Sequence, residues 1–388
     1  MTWRLANVTK LIQENPGLRT LHMHGERLRQ ARTLDNTFLK AIMDHSSLTK
    51  LKISVGIPCF TLAKVMIHLP HQLRELEMDV NVLVSAAHTC QLCDEQIDLF
   101  KSRAIPLSLR RLVLAKGSMK WFVIRLFIPL LQHCPDLEML ALPSIKHPDI
   151  TDTIHMEMAQ ILDSYCPHLH TLSLPRNCSK KPVVQSKRVS LLLEGFSKGL
   201  RHLYLLDTTC GRPDHARSQW NEQNVLETLL HTATLNTLEV FRTCPSSNDN
   251  DHLLQILRQC PRLREFRLNR ECPRYAGMDL THLISAMDEP WESSGTLSVI
   301  ELKVTNQMFA TSVDSESSRC YATAQAIRQL CFWLKGFPSL TTLHLNWNLN
   351  RNPSESMHLN LQSLNECAMT TGSRWMTEED VNWMGLTQ

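Results

Sequence analysis

The hydrophobic positions of this chain fall into one short phrase that keeps returning. Leu200-Arg-His-Leu203-Tyr-Leu205 is its clearest copy, apolar at positions 1, 4 and 6. Side chains alternate from face to face along a strand, so positions 4 and 6 share one face and positions 3, 5 and 7 the other. The phrase also starts at Leu18, Leu48, Leu73, Leu109, Leu137 and Leu169, and again at Leu235, Leu263, Leu297 and Leu340. Between copies the apolar period changes to that of a helix. This predicts helices over 36–44, 60–69, 93–101, 121–133, 153–165, 187–198, 222–232, 249–259, 279–287, 321–335 and 377–384. A further helix, with Leu5, Val8, Leu11 and Ile12 on one face, stops at Asn15-Pro16-Gly17.

Several helices end the same way, in Cys134-Pro-Asp-Leu137, Cys166-Pro-His-Leu169, Cys260-Pro-Arg-Leu263 and Phe337-Pro-Ser-Leu340. Proline has no N–H to donate and restricts the residue before it, so it closes the helix ahead of the next strand. From one first leucine to the next the distance runs from 25 to 43 residues. The longest intervals place protruding loops near 80–108 and 303–338. A strand-helix unit cannot bury its apolar face alone, but stacked units form a continuous core. Helices are wider than strands, so such a stack is expected to bend into a horseshoe with the strands inside. No linker or compositional break divides the chain, and one domain over 1–388 is expected.

Composition changes this picture little. The chain has 388 residues, 43% of them hydrophobic and 20% charged, with a formal net charge of +3. That is ordinary globular material with no dense basic block, and a nucleic-acid partner is not expected. The thirteen cysteines include three at one repeat position, which reads as small buried apolar residues and not as a disulfide framework. No leader and no apolar run of membrane-spanning length is found, which points to the cytoplasm or nucleus.

No phosphate loop, Gly-x-Ser-x-Gly or His-Glu-x-x-His motif occurs. Cys90-Gln-Leu-Cys93, with His88 nearby, has metal-like spacing, but a structural zinc usually takes two such pairs and no second pair follows. Neither a metal nor a cofactor is expected, and the chain reads as a binding protein. Its surface is the strand face opposite the leucines. That face is charged in the early and late copies and more apolar in the middle. Val113, Met139, His202, Tyr204, Leu206, Glu239, Phe241 and Arg267 are the candidate partner-binding residues, with Tyr204 and Phe241 as aromatic anchors.

The full unit, Cys/Asn-Pro-x-Leu-x-x-Leu-x-Leu, resembles the ribonuclease-inhibitor-like branch of leucine-rich repeats. It is more closely similar to fungal F-box/leucine-rich-repeat proteins, and Trp375-Met-Thr-Glu-Glu-Asp-Val-Asn-Trp383-Met384 resembles a helix start in that group. The resemblance implies an α/β solenoid of about eleven repeats with a parallel concave sheet. It also implies a protein partner on that face and a role as the substrate-recognition part of an SCF-type ubiquitin ligase receptor. No F-box is visible ahead of the repeats and no closing strand follows Thr377. The expectation is therefore of a chain cut at both ends, which meets the ligase adaptor only if an F-box lies in the full-length protein. Two alternatives stay open, a leucine-rich-repeat GTPase-activating protein and a standalone leucine-rich-repeat inhibitor or binding module.

Overall fold

The computed structural model describes residues 5–24, 36–54, 67–79, 105–115, 118–119, 121–142, 144–145, 152–176, 189–207, 223–243, 250–268, 277–286, 290–305 and 337–348, with single positions 98 and 329. The chain gathers into two compact units, one of residues 1–176 with 191–200, the other of residues 177–190 with 201–388. The first unit holds strands β1 (Thr20–His24), β2 (Lys50–Ser54), β3 (Glu75–Asp79), β4 (Arg111–Ala115), β6 (Met139–Ala141) and β8 (Thr171–Arg176), with a minor pair β5 (Ser118–Met119) and β7 (Ser144–Ile145). The second holds β9 (His202–Asp207), β10 (Val240–Thr243), β11 (Glu265–Leu268), β13 (Val299–Thr305) and β14 (Thr342–Asn348), with the two-residue β12 (Met278–Asp279) beside the end of β13. Every neighbouring pair within each sheet is parallel. Each unit is a leucine-rich-repeat solenoid of the α/β class.

One backbone contact recurs at nearly every step. The carbonyl of position 2 accepts both the position-2 and the position-3 N–H of the next repeat. Arg19 O accepts from Thr49 and Lys50 at 2.9 and 3.0 Å, Arg74 O from Arg110 and Arg111 at 2.8 and 3.0 Å, and Arg264 O from Ser298 and Val299 at 2.8 and 3.0 Å. A carbonyl has two lone pairs, so both bonds can form at one oxygen. The contact fixes the phrases in register. Position 4 then stacks on position 4, as Leu21, Leu51, Leu76, Leu112, Leu140 and Leu172 in the first unit. All of these are buried.

The turn before each strand explains the Cys-Pro-x-Leu sequence. Leu137 N–H donates to Cys134 O, Leu169 to Cys166 O, Leu263 to Cys260 O and Leu340 to Phe337 O. Proline sits second in this four-residue turn, where its fixed φ fits and its missing N–H costs nothing. The first residue is buried: Cys134, Cys166 and Cys260 are free thiols in the core. The repeat leading to β9 has one extra residue, and Gly199 absorbs it at a φ of 71°. Gly195, just past helical residues 189–194, has a different constraint, since a Cβ there would collide with the Cβ of Ala159.

Helices are found at Leu5–Glu14, Asn36–Met43, Trp121–Gln132, Asp152–Tyr165, Gln223–Leu230, Asn250–Gln259 and Leu280–Ser285, within a few residues of their predicted places. Those predicted over 60–69, 93–101, 321–335 and 377–384 lie almost wholly outside the described residues, as do most of the long intervals near 80–108 and 303–338. Before β13 a short 3-10 turn, Glu292–Gly295, follows the helix Leu280–Ser285 and packs against the helix Asn250–Gln259. Trp291 fills the core there, donating Nε1–H to Ala286 O at 3.1 Å and meeting Phe337 edge to face at 5.8 Å.

One phrase is out of frame by three residues. The sequence pattern starts this copy at Leu235, but Thr234–Thr237 is a helical turn. Phe241, not Leu238, pairs with Leu203 and Phe266. The true phrase is Leu238-Glu-Val-Phe241-Arg-Thr243. Leu235, Leu238 and Phe241 are evenly spaced, so two frames fit. The apolar Val240 favours the wrong one, because the true position 6 is the buried Thr243. The two frames differ in outcome. Leu238→Ala should cost about 2–5 kcal/mol in urea unfolding, as a buried leucine does, and the partly exposed Leu235→Ala roughly 1 kcal/mol. The reverse order would restore the original frame.

Candidate functional site

Positions 3 and 5 of consecutive strands line up in rows on the sheet face away from the leucines. In the first unit one row is Thr20, Lys50, Glu75, Arg111, Met139 and Thr171. The next is His22, Lys52, Glu77, Val113, Ala141 and Ser173. Strands in a sheet are about 4.8 Å apart, so opposite charges on adjacent strands meet directly. Lys50 Nζ lies 2.6 Å from Glu75 Oε2, Lys52 Nζ 2.6 Å from Glu77 Oε1, and Arg111 Nη1 3.5 Å from the same oxygen of Glu75. The hydrogen bond from Lys50 holds the Glu75 carboxyl below its ordinary range against the opposing effect of burial, with the charges of Lys50 and Arg111 adding to it. Val113 and Met139, two of the candidate residues, lie where this charged ladder gives way to Ala141, Thr171 and Ser173. Both are half-buried. Arg111 Nε–H donates to Met139 Sδ at 3.4 Å, so the thioether is tied to the charged side of that boundary.

In the second unit the corresponding rows are His202, Val240, Glu265, Val299 and Thr342, then Tyr204, Arg242, Arg267, Glu301 and His344. Arg242 lies over the Tyr204 ring, its Cζ 5.5 Å from the centroid. Arg242 Nη2–H and Arg267 Nε–H both donate to Glu265 Oε2 at 3.1 Å, and Arg267 Nη1 reaches Glu301 Oε2 at 3.6 Å. Burial pushes the Glu265 carboxyl up, but the hydrogen bond from Arg242 and the charges of both arginines outweigh it and leave it below its ordinary range. The Arg242 Nε is buried without a hydrogen-bond partner.

The eight candidate residues are thus distributed unevenly. His202, Tyr204 and Arg267 stand in the second unit's rows, and Val113 and Met139 in the first unit's. Leu206 lies on β9, and its side chain falls outside the described residues. Two placements need correction, both from the shifted frame. Phe241 is fully buried at position 4 and packs its ring 5.8 Å from Phe266, so it is a core residue and no anchor. Glu239 is at position 2, beside Arg201 at 4.0 Å and off the position-3 and position-5 rows. Arg242 takes the place assigned to Phe241. Its own neighbours in sequence could have found it, since Phe241-Arg-Thr243 matches Phe266-Arg-Leu268.

Among the described residues, no group of three His, Cys, Asp or Glu side chains is gathered as for a metal, and no helix is long and apolar enough to cross a membrane. Cys90, Cys93 and His88 lie outside the described residues. The buried thiols are poor nucleophiles: burial pushes Cys166 up to about 12, and burial with the nearby Glu292 charge does the same for Cys260.

No family model and no curated protein matches the chain. Among solved structures it is similar to a chain of the yeast complex described as "Crystal structure of Rad7 and Elc1 complex in yeast", at 15% identity and a TM-score of 0.42. The match covers 92% of this chain and 90% of that one. At such identity and score the likeness carries no argument about function, and the repeat architecture rests on the strand register itself.

The lowered Glu75 and Glu265 carboxyls set a pH dependence. A carboxyl whose folded pKa is depressed contributes stability above its unfolded value, about 4.3 for Glu, and loses it as pH falls through the lower folded value. Thermal melting followed from pH 7 downward should therefore show a stability loss below about pH 4.3. Glu265→Gln should flatten that acid limb and lower stability near neutrality. An unchanged limb would mean that Glu265 is not held ionised by the two arginines. The groups are partly exposed, so the effect is a modest fraction of the whole.

Proposed function

We propose that the chain is a non-catalytic protein-interaction scaffold, acting in the cytoplasm or nucleus, whose partner lies across the position-3 and position-5 face. Within that class we propose the substrate-recognition part of an SCF-type ubiquitin ligase receptor. The binding half is carried by one observation. Tyr204, Arg242 and Arg267 stand on adjacent strands as a half-buried set, connected through Glu265 and held on a fixed backbone ladder. Tyrosine and arginine dominate protein interfaces, and side chains already immobilised lose less entropy when a partner arrives. The receptor half is supported by the resemblance of the repeated Cys-Pro-x-Leu-x-x-Leu-x-Leu unit to F-box/leucine-rich-repeat proteins.

The test is affinity purification of the full-length tagged protein from its native cells beside a Tyr204→Ala/Arg242→Ala variant. Ligase adaptor subunits in both samples, with a further protein lost from the variant, are the expected result. The variant should melt within a few degrees of the parent, whereas Phe241→Ala should cost about 3–5 kcal/mol as a core truncation. A small GTPase whose hydrolysis the chain accelerates, or capture without any ligase subunit, would overturn the receptor assignment.

A further inference from the structure

The position-2 residues form a second surface, at the N-terminal ends of the strands and separate from the face discussed above. In the first unit they run Arg19, Thr49, Arg74, Arg110, Glu138 and His170. The doubly bonded carbonyls hold these residues in register, so their side chains emerge one strand spacing apart, about 4.8 Å. Arg19 and Arg74 are exposed and make no ion pair with a described residue. Arg110 makes only a loose one, 3.5 Å to Glu138 with both side chains about half exposed (55% and 44%). Next to them on position 3 are Lys50 and Arg111, which share the single carboxylate of Glu75. On position 2 itself three arginines, Arg19, Arg74 and Arg110, therefore stand with one carboxylate, Glu138, across the starts of β1, β3, β4 and β6.

We infer that this edge of the first unit binds an acidic, carboxylate-bearing segment of a partner protein. The dimensions suit an extended peptide. From Arg19 to Arg110 is three strand spacings, about 14 Å, and an extended chain places alternate side chains about 6.8 Å apart, so three acidic side chains on one side span the row. Duplex nucleic acid is a poorer fit, since it draws its affinity from 6–10 phosphate contacts over a broad basic surface, in round numbers. Arginine, with its planar fork, holds carboxylates in two-point contacts that lysine does not make. The inference stands independently of the ligase assignment and of the Tyr204 set.

Fluorescence anisotropy with a labelled octaglutamate peptide tests it on the full chain. The peptide should bind, with affinity falling as salt is raised. Arg19→Ala/Arg74→Ala should weaken it by about tenfold or more, two charged hydrogen-bonding groups being removed. Lys40→Ala/Lys198→Ala, which removes the same charge from exposed sites elsewhere in the first unit, should change it less than about twofold. Tyr204→Ala should leave it unchanged. Absence of peptide binding, equal weakening in both double variants, or tighter binding of a duplex DNA of equal charge would each overturn the inference.

Discussion

The fold depends on one shared carbonyl. Wherever the position-2 oxygen accepts from two N–H groups of the following repeat, the two strands cannot slide without losing both bonds. A slip of one residue would also turn every leucine of that strand outward. Backbone pairing and apolar burial therefore require the same register, and each repeat passes it to the next. Side-chain hydroxyls reinforce the contact where position 2 allows. Thr49, Ser298 and Thr341 each donate to the carbonyl of the repeat before them at 3.2, 2.9 and 3.1 Å.

This register makes the surface simple to describe. Among the described residues position 4 is core, positions 3 and 5 make the open face, and position 2 makes the edge. The charges on the face are mostly spent on one another, Lys on Glu and Glu between two arginines. Exposed pairs of this kind contribute roughly 0–1 kcal/mol each. Their larger effect is to hold long side chains still. On the edge the same backbone spacing brings like charges together, and there the neighbours supply fewer carboxylates.

Much of this was legible in the sequence because the phrase is dense in leucine and its turn carries proline. Ten of the eleven phrases stand in the frame that the leucines suggest. The exception shows what a pattern of apolar positions cannot resolve. Where leucine and phenylalanine recur every three residues, the frames are distinguished by a buried threonine, Thr243, and by a single helical turn ahead of the strand. Neither has a hydrophobic signature. An offset of three residues is odd, so it exchanges the two faces: Phe241 lies in the core and Arg242 on the surface beside Tyr204. The short Glu292–Gly295 turn beside the buried Trp291 likewise has no apolar period of its own to mark it.

The cysteines at the first position of the turn have a use beyond packing. Burial pushes the Cys166 and Cys260 thiols up to about 12, far from the reactive thiolate range, and all three sulfurs are buried. An alkylating reagent reaches these sites only when the surrounding repeat opens. Cys134 and Cys166 report on the first unit and Cys260 on the second. Labelling followed peptide by peptide would then time the opening of each unit separately, with reporters the chain already contains.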